Sequence, residues 1–399
     1  MPISGNAIPT TADVLIVGGS IMGSATAYYL LNQQPELSVV VVEKDPTYEK
    51  SSTVLSDGNQ RVQFNLKENI QMSLYGNEVY KTFAQVMAVD GKEVNISFRG
   101  EGNLFIVNDE GKDAALEGLR RQQDLGAEVR WLEPSEVKAL YPAYNLKDCA
   151  GATFGPQDGT VSPFDLLMAY RNKAISLGAT YLEAEVACLT RSGGEVTGAK
   201  LKDGEHISAS VVLASAGVWV NQITEPIGVK LPIKGIKRQV YFIRSHIQTP
   251  ERLPALFLPT GNYLFHEAEG NFSTGGALPS DPETLDDFRC SRDRFEEHVW
   301  PVLAAYLPEL EQLKMVKMWA GLYALNTLDA NGIIGEWPEV KGLYVAGGFS
   351  GHGFQQCHAV GRYLSECILG QELSLDLSIL SPQRILDNKP VYENPSRLI

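Results

Sequence analysis

The stretch Val14-Leu15-Ile16-Val17-Gly18-Gly19-Ser20-Ile21-Met22-Gly23 decides the architecture. Its unbroken aliphatic start, within Ala12–Val17, reads as a parallel strand buried on both faces. Two glycines then turn the chain, and Ile21–Leu31 reads as a helix. Leu37–Glu43, a run of valines closing on an acid, reads as a second strand. Strand, turn, helix and strand form a βαβ unit carrying a dinucleotide fingerprint. Gly18 makes the tight turn, Gly23 lets helix and strand pack closely, and Glu43 is placed for ribose hydroxyls. The start of the helix offers free amides and a positive dipole end to a pyrophosphate. Ser20 stands where the fingerprint has its second glycine, so it can bond a phosphate but tightens the approach. The fingerprint alone fits FAD and NAD equally.

Outward from this unit, helix punctuation recurs at Ser162-Pro163 and at Gly178. Strands follow at Ala179–Ala184 and Val211–Ala214. The second of these ends in Ser215-Ala216-Gly217-Val218-Trp219, whose small residues would let a cofactor lie across the strand end. Asn103–Val107, Gln239–Arg244, Asn262–Glu267 and Phe272–Gly276 read instead as antiparallel strands between Gly and Pro turns. Near the C-terminus, a strand at Gly342–Ala346 runs into Gly347-Gly348-Phe349-Ser350-Gly351-His352-Gly353-Phe354 and a helix from about Gln355 to Leu369. A glycine run that opens a helix brings backbone amides against a planar, electron-rich ring. The sequence therefore predicts an α/β fold, α+β overall. A nucleotide-type domain (1–95, 151–228 and 319–399) is interleaved with a second domain rich in antiparallel strands (96–150 and 229–318).

Composition narrows the function classes. With 34 Lys and Arg against 48 Asp and Glu, the net charge of −14 argues against a nucleic-acid partner. Hydrophobic residues make up 44% of the chain, which excludes intrinsic disorder. The uncharged run Val14–Pro35 is broken by glycines and serines, so no membrane span is expected. No Lys or Arg precedes Lys44, so neither a secretory nor a mitochondrial leader is expected in these residues. Ser396-Arg397-Leu398-Ile399 misses a peroxisomal address by its last residue, which leaves a cytoplasmic expectation. Five cysteines without a CxxC suit a reducing compartment, and no metal site is expected.

Several further motifs belong together: Glu43-Lys44-Asp45-Pro46-Thr47-Tyr48 with Ser52-Thr53, Arg61-Val62-Gln63-Phe64, Lys237-Arg238-Gln239-Val240, and the span from Trp319 to Gly353. On these, and on the ending Asp376-Leu377-Ser378, the chain resembles the D-amino-acid oxidase superfamily of flavoproteins in its sarcosine oxidase/glycine oxidase branch. Within that branch it is most similar to the FAD-dependent oxidoreductase domain-containing protein 1 group, and the resemblance implies a Rossmann-like FAD-binding domain interleaved with a substrate domain on a mixed, largely antiparallel sheet. The resemblance implies non-covalent FAD held by Gly18, Ser20, Ile21, Glu43, Lys44, Ser52, Thr53 and Arg61. Val186, Ala216, Gly217 and Trp219 would follow the adenine side. Gly321, Gly348, Phe349, Gly351, His352, Gly353, Phe354 and Gln355 would border the isoalloxazine.

The same resemblance implies oxidation of the C–N bond of an amino acid or N-substituted amino acid. Hydride would pass from the carbon beside nitrogen to the flavin, water would hydrolyse the imine, and oxygen would act as acceptor and yield hydrogen peroxide. A dehydrogenase with another acceptor, a 2-hydroxy-acid substrate, and a flavoprotein assembly factor with little catalysis remain alternatives. The substrate anchors depart from the family. Gly321 stands where sarcosine oxidases carry the flavin-linking Cys, Gln355 where they carry a carboxylate-binding Lys, and Tyr323 where glycine oxidase has an Arg. The oxygen-activating Lys is missing near Ser273-Thr274, so Lys234, Lys237 or His266 would have to supply that charge. Candidates for substrate contact are Arg61, Tyr263, Tyr241, Gln355, Tyr323 and His266. The two sheet tyrosines Tyr241 and Tyr263, and His266, are equally readable as ordinary packing residues. Arg238 suits an anion clamp or a strand-edge ion pair.

Overall fold

A computed structural model describes residues 9–146, 148–249 and 252–393; the near-peroxisomal ending at 396–399 lies outside them. The valine-rich segments form the middle of an eight-stranded sheet. Its path runs Ile333–Glu336, Leu343–Gly347, His206–Ala214, Thr11–Val17, Val39–Glu43, Thr180–Glu183, with every neighbour parallel except the first pair. Val14 sits between Val39 and Val211, and Val17 between Val42 and Ala214. Such strands need apolar side chains on both faces because helices cover one side and a hairpin and short helices the other. The hairpin, Val186–Ser192 with Glu195–Leu201, hangs on the first half of His206–Ala214 and explains why that strand begins five residues before its expected start at Val211.

The first helix, Ile21–Gln33, is buried along nearly its whole length, between Pro163–Ser176 and the C-terminal helix Gly353–Leu369. A Cβ on Gly361 would stand 2.9 Å from the backbone of Ala25, so the two helices cross at a distance only small residues permit. At Pro163–Ser176 the expected cap is present: Ser162 Oγ accepts from the Asp165 N–H.

A second eight-stranded sheet runs Lys314–Asn326, Ile233–Arg244, Asn271–Gly276, Asn262–Ala268, Ala255–Phe257, Asn103–Val107, Gly151–Gly155, Arg130–Leu132. All its pairs are antiparallel except Ala255–Phe257 with Asn103–Val107, which makes the sheet mixed. Lys314–Asn326 straddles the expected domain boundary at 319 yet runs wholly in this sheet, paired along its length with Ile233–Arg244. Gly151–Gly155 belongs to it as well. The helices Lys67–Val86 and Lys112–Asp124 were not legible in sequence, because polar or small residues such as Asn69, Ser73, Gly76 and Gln122 interrupt their buried faces. Among the described residues no helix is long and apolar enough to cross a membrane.

Candidate active site

The carboxyl ends of the parallel strands and one face of the second sheet enclose a cavity of about 310 Å³. In open α/β sheets this end is where ligands bind, since loops and helix N-termini converge there. Two helices open onto it. The first has Ser20 at its N-cap and the C-terminal helix has His352, and neither side chain caps its helix. The unpaired amides of two long helices thus face one space, an arrangement suited to an anionic ligand.

Local sequence builds the end of the cavity at the first sheet's strand ends. Gly18 has φ +102°, and a Cβ there would lie 2.5 Å from the carbonyl oxygen of Ser215, so only glycine makes this turn. Glu43 holds its carboxylate against two backbone donors, Gly19 N–H at 2.8 Å and Asp45 N–H at 2.9 Å. Burial pushes its pKa up and these donors oppose that shift. Ser20 Oγ lies 2.7 Å from Ser51 Oγ, so hydroxyls of both sides of the loop meet at the helix start. Lys44 Nζ sits 3.7 Å over the Trp219 ring, and burial lowers its pKa. Ser52 Oγ donates to the Leu322 carbonyl at 2.6 Å and Trp319 Nε1 to the Leu55 carbonyl at 2.9 Å, which ties the 44–61 loop to the second sheet.

Tertiary packing builds the other end. Phe257, Tyr263 and Phe265 form an aromatic wall on the second sheet. Arg61 is 8% exposed, with its guanidinium 5.0 Å from the Phe64 ring and 5.6 Å from that of Phe257. Among the described residues no side chain hydrogen-bonds or ion-pairs with that guanidinium, and burial lowers its pKa. Its backbone N–H donates to Gln355 Oε1 at 2.8 Å, so the first turn of the C-terminal helix fixes where Arg61 enters. A cation desolvated between rings, on which the carboxylates of Asp158 and Glu393 act only through their charge, is costly unless a ligand supplies a bound anion. Gly351, at φ +91°, lets Tyr323 approach: a Cβ there would stand 2.4 Å from the Tyr323 ring.

Every expected cofactor contact lines this cavity: Gly18, Ser20, Ile21, Glu43, Lys44, Ser52, Thr53, Arg61, Val186, Ala216, Gly217, Trp219, Gly321, Gly348, Phe349, Gly351, His352, Gly353, Phe354 and Gln355. Tyr263 and Tyr323 line it too. Tyr241 and His266 do not. Tyr241 points to the opposite face of its strand, fully buried, where its hydroxyl meets Ser291 O at 3.1 Å and its ring packs on Phe295. His266 accepts from the Leu253 N–H at 2.9 Å and stacks on Phe272, and burial lowers its pKa. Both miss the cavity because a strand alternates its side chains, and each lies one or three residues from a position that faces it, Val240 and Tyr263. Lys234 and Lys237 pair with Glu283 and Asp287 away from the cavity. Arg238 lines the cavity while ion-pairing with Asp281 and covering the Tyr323 ring at 5.4 Å, so both of its anticipated roles meet in one side chain.

Sequence reasoning missed Asp57, which reads as part of an Asp-Gly turn. It lines the cavity at the aromatic wall, with Oδ2 accepting from Tyr263 Oη at 2.6 Å. Burial raises its pKa to about 6, against the lowering bonds from Tyr263 and Ser273. A single acid in the otherwise uncharged stretch from Ser51 to Gln60 was the available signal.

The model of the FAD dependent oxidoreductase (DAO) family matches residues 13–367. FAD-dependent oxidoreductase domain-containing protein 1 of Xenopus laevis is 35% identical, with 98% of this chain and 86% of the relative covered. Glycine oxidase of Geobacillus kaustophilus is 26% identical, covering 93% and 97%. The crystal structure of L-proline dehydrogenase from P.horikoshii superimposes with a TM-score of 0.85 at 26% identity, covering 96% of this chain and all of that one.

Proposed function

This chain belongs to the FAD dependent oxidoreductase (DAO) family, and from that premise we propose that it oxidises the C–N bond of an amino acid or N-substituted amino acid. The relatives named glycine oxidase and L-proline dehydrogenase support an α-amino acid as the substrate class. In this reading the first sheet's unit holds FAD and the second sheet's unit the substrate. The domain boundaries then follow the sheets, and 151–155 and 314–326 go with the substrate side.

The residues present fit FAD. Glu43 would take the ribose hydroxyls, the two uncapped helix starts would face the phosphates and the ring's electron-rich edge, and Lys44 with Trp219 would close over the adenine side. Bound FAD supplies the acceptor for a hydride leaving the carbon beside nitrogen. The protein's share is position: Arg61 anchors the substrate carboxylate, Gln355 fixes Arg61, and Phe257, Tyr263 and Phe265 exclude water. Arg61 carries the reading, because its unpaired guanidinium asks for an anion where the aromatic wall leaves room for one.

The test is anaerobic mixing with glycine, N-methylglycine, L-proline and lactate while the flavin absorbance is followed. Bleaching by an amino acid is expected; bleaching by lactate alone would sink the proposal. The FAD is held non-covalently, since Gly321 has no sulfur and Cys357 is fully buried off the cavity. Acid precipitation should leave a yellow supernatant, and a yellow pellet would refute this.

Oxygen is the proposed acceptor, served slowly by Arg61 and Arg238, cations that line the cavity. A specific observation favours a dehydrogenase as the second reading. Lys234 and Lys237 are engaged elsewhere, and Ser273 sits between two carboxylates rather than beside a cation. Recovery of the reduced flavin in air within seconds supports the oxidase, whereas recovery only with a quinone or dye supports the dehydrogenase.

A further inference from the structure

Resting on the amine reading above, we propose that Asp57 takes the proton from the substrate's ammonium group and that Ser273 and Glu267 carry it out of the cavity. An α-amino acid near neutral pH carries an ammonium group with no lone pair on nitrogen. Hydride cannot leave the neighbouring carbon as a C=N bond forms until that lone pair is available. A proton must therefore be taken up beside the wall formed by Phe257, Tyr263 and Phe265.

Asp57 is the carboxylate placed for this. The cavity's other carboxylates, Glu43, Asp45 and Glu185, lie at or just past the ends of first-sheet strands, on the nucleotide side. Asp57 lies at the aromatic wall instead, four residues before Arg61, so the cavity offers an anion and an unpaired cation to a zwitterion. The groups facing Asp57 are Tyr263, which donates to it at 2.6 Å, the buried Ser273 hydroxyl on the next strand, and the charge of Glu267. Tyr323 approaches from Lys314–Asn326. Burial holds both tyrosines protonated, so Tyr263 donates to Asp57 and neither tyrosine competes for the proton.

An exit follows from the same contacts. Ser273 Oγ reaches Glu267 Oε1 at 3.2 Å, and Glu267 Oε2 reaches Arg99 Nη1 at 2.6 Å, where both side chains are about a quarter exposed. With both carboxylates ionised, the single Ser273 hydrogen serves only one of them. With a proton on Asp57, Ser273 accepts from Asp57 and donates to Glu267, so both contacts of the Ser273 hydroxyl are hydrogen bonds. In the step itself an N–H bond breaks, its electron pair stays on nitrogen, and an O–H bond forms on Asp57. The proton then passes by way of Ser273 to Glu267 and to solvent, and no electrons are transferred along the route.

The experiment uses the FAD-loaded full chain with glycine, N-methylglycine or L-proline, whichever bleaches the flavin. In the wild type the anaerobic bleaching rate should rise through an inflection near pH 6. Ser273→Ala removes a bond that favours the ionised form and should move the inflection up by roughly half to one unit. Glu267→Gln removes a repelling charge and should move it down. Asp57→Asn should lower the rate at pH 7 roughly 100-fold. It should also remove the protonated-carboxyl infrared band that titrates near pH 6 in the substrate-free protein. An unchanged profile in Asp57→Asn, or inflections that stay put in the Ser273 and Glu267 variants, overturns the proton route alone. If Asp57→Asn does not fold, the two other variants decide. Bleaching by lactate alone overturns the amine reading and the route with it.

Discussion

The two ends of the cavity, one assigned to the nucleotide and the other to the substrate in the proposed reading, are built on different principles. At the nucleotide end the contacts are backbone amides, small residues and one acid, all within a short stretch after each parallel strand: Gly18 to Ile21, Glu43 to Lys44, Ser215 to Gly217, and Gly347 to Gly353. At the substrate end they are side chains from distant parts of the chain. Arg61 is fixed by Gln355, 294 residues on, and Asp57 by Tyr263, 206 residues on. In the proposed reading the first end would recognise a constant group by geometry that the local chain imposes, and the second a variable group by charges whose positions depend on how the two sheets meet. Tolerance to mutation should differ accordingly.

The sharpest way to break this comparison is at Gly18. Gly18→Val meets the Ser215 carbonyl at a backbone angle that β-branched residues do not adopt. It should abolish FAD retention, measured as flavin absorbance per folded chain. Normal flavin content would show that the turn is not the cradle. Arg61→Ala should act differently. It keeps the flavin while raising KM for the best amino acid by roughly tenfold or more, as loss of a charge-assisted contact of about 1.5–3 kcal/mol requires. Equal loss of flavin and turnover in both variants would erase the distinction between the two ends.

A smaller effect is expected at Asp57, on stability. Its pKa is raised on folding to about 6, so the folded state binds more protons than the unfolded one between the ordinary carboxylate range and pH 6. The group therefore destabilises the fold above pH 6, and that cost fades as pH falls through this window. Asp57→Asn should stabilise the protein at pH 7 by about 1–2 kcal/mol in denaturant titrations, with little gain at pH 4. A destabilised variant at pH 7 would contradict the burial assigned to this carboxyl. The smallest effects should come from Tyr241→Phe and His266→Gln. Both sit off the cavity, so kcat/KM should stay within about twofold, while each costs about 1 kcal/mol of stability through a lost buried hydrogen bond. A tenfold fall in kcat/KM in either would bring these residues back to the site.

Tyr241, set beside Tyr263, shows what the local sequence leaves open. Tyr241 and Tyr263 are both tyrosines on strands of the same sheet, and nothing in their neighbourhoods of sequence separates them. In the fold Tyr241 is sealed against Phe295 and Tyr263 faces the cavity. Asp57 was hidden for the converse reason: beside Gly58 it looks like a turn residue, and only the strands carrying Tyr263 and Ser273 make it a half-buried acid with a raised pKa.

The sequence by itself determined the βαβ unit, the glycine run, the acid at Glu43, the interleaving of parallel and antiparallel segments, and so the FAD end of the cavity. Those features follow from hydrophobic period and backbone freedom, which are properties of neighbouring residues. Only the tertiary structure decided which faces of the second sheet look inward, that the Arg61 guanidinium lies between rings without a bonded side chain among the described residues, and that Asp57, Ser273 and Glu267 line up toward the surface. Those outcomes depend on strand register and on desolvation by groups far away in the chain, and a charge acquires its chemistry only once water has been removed from around it.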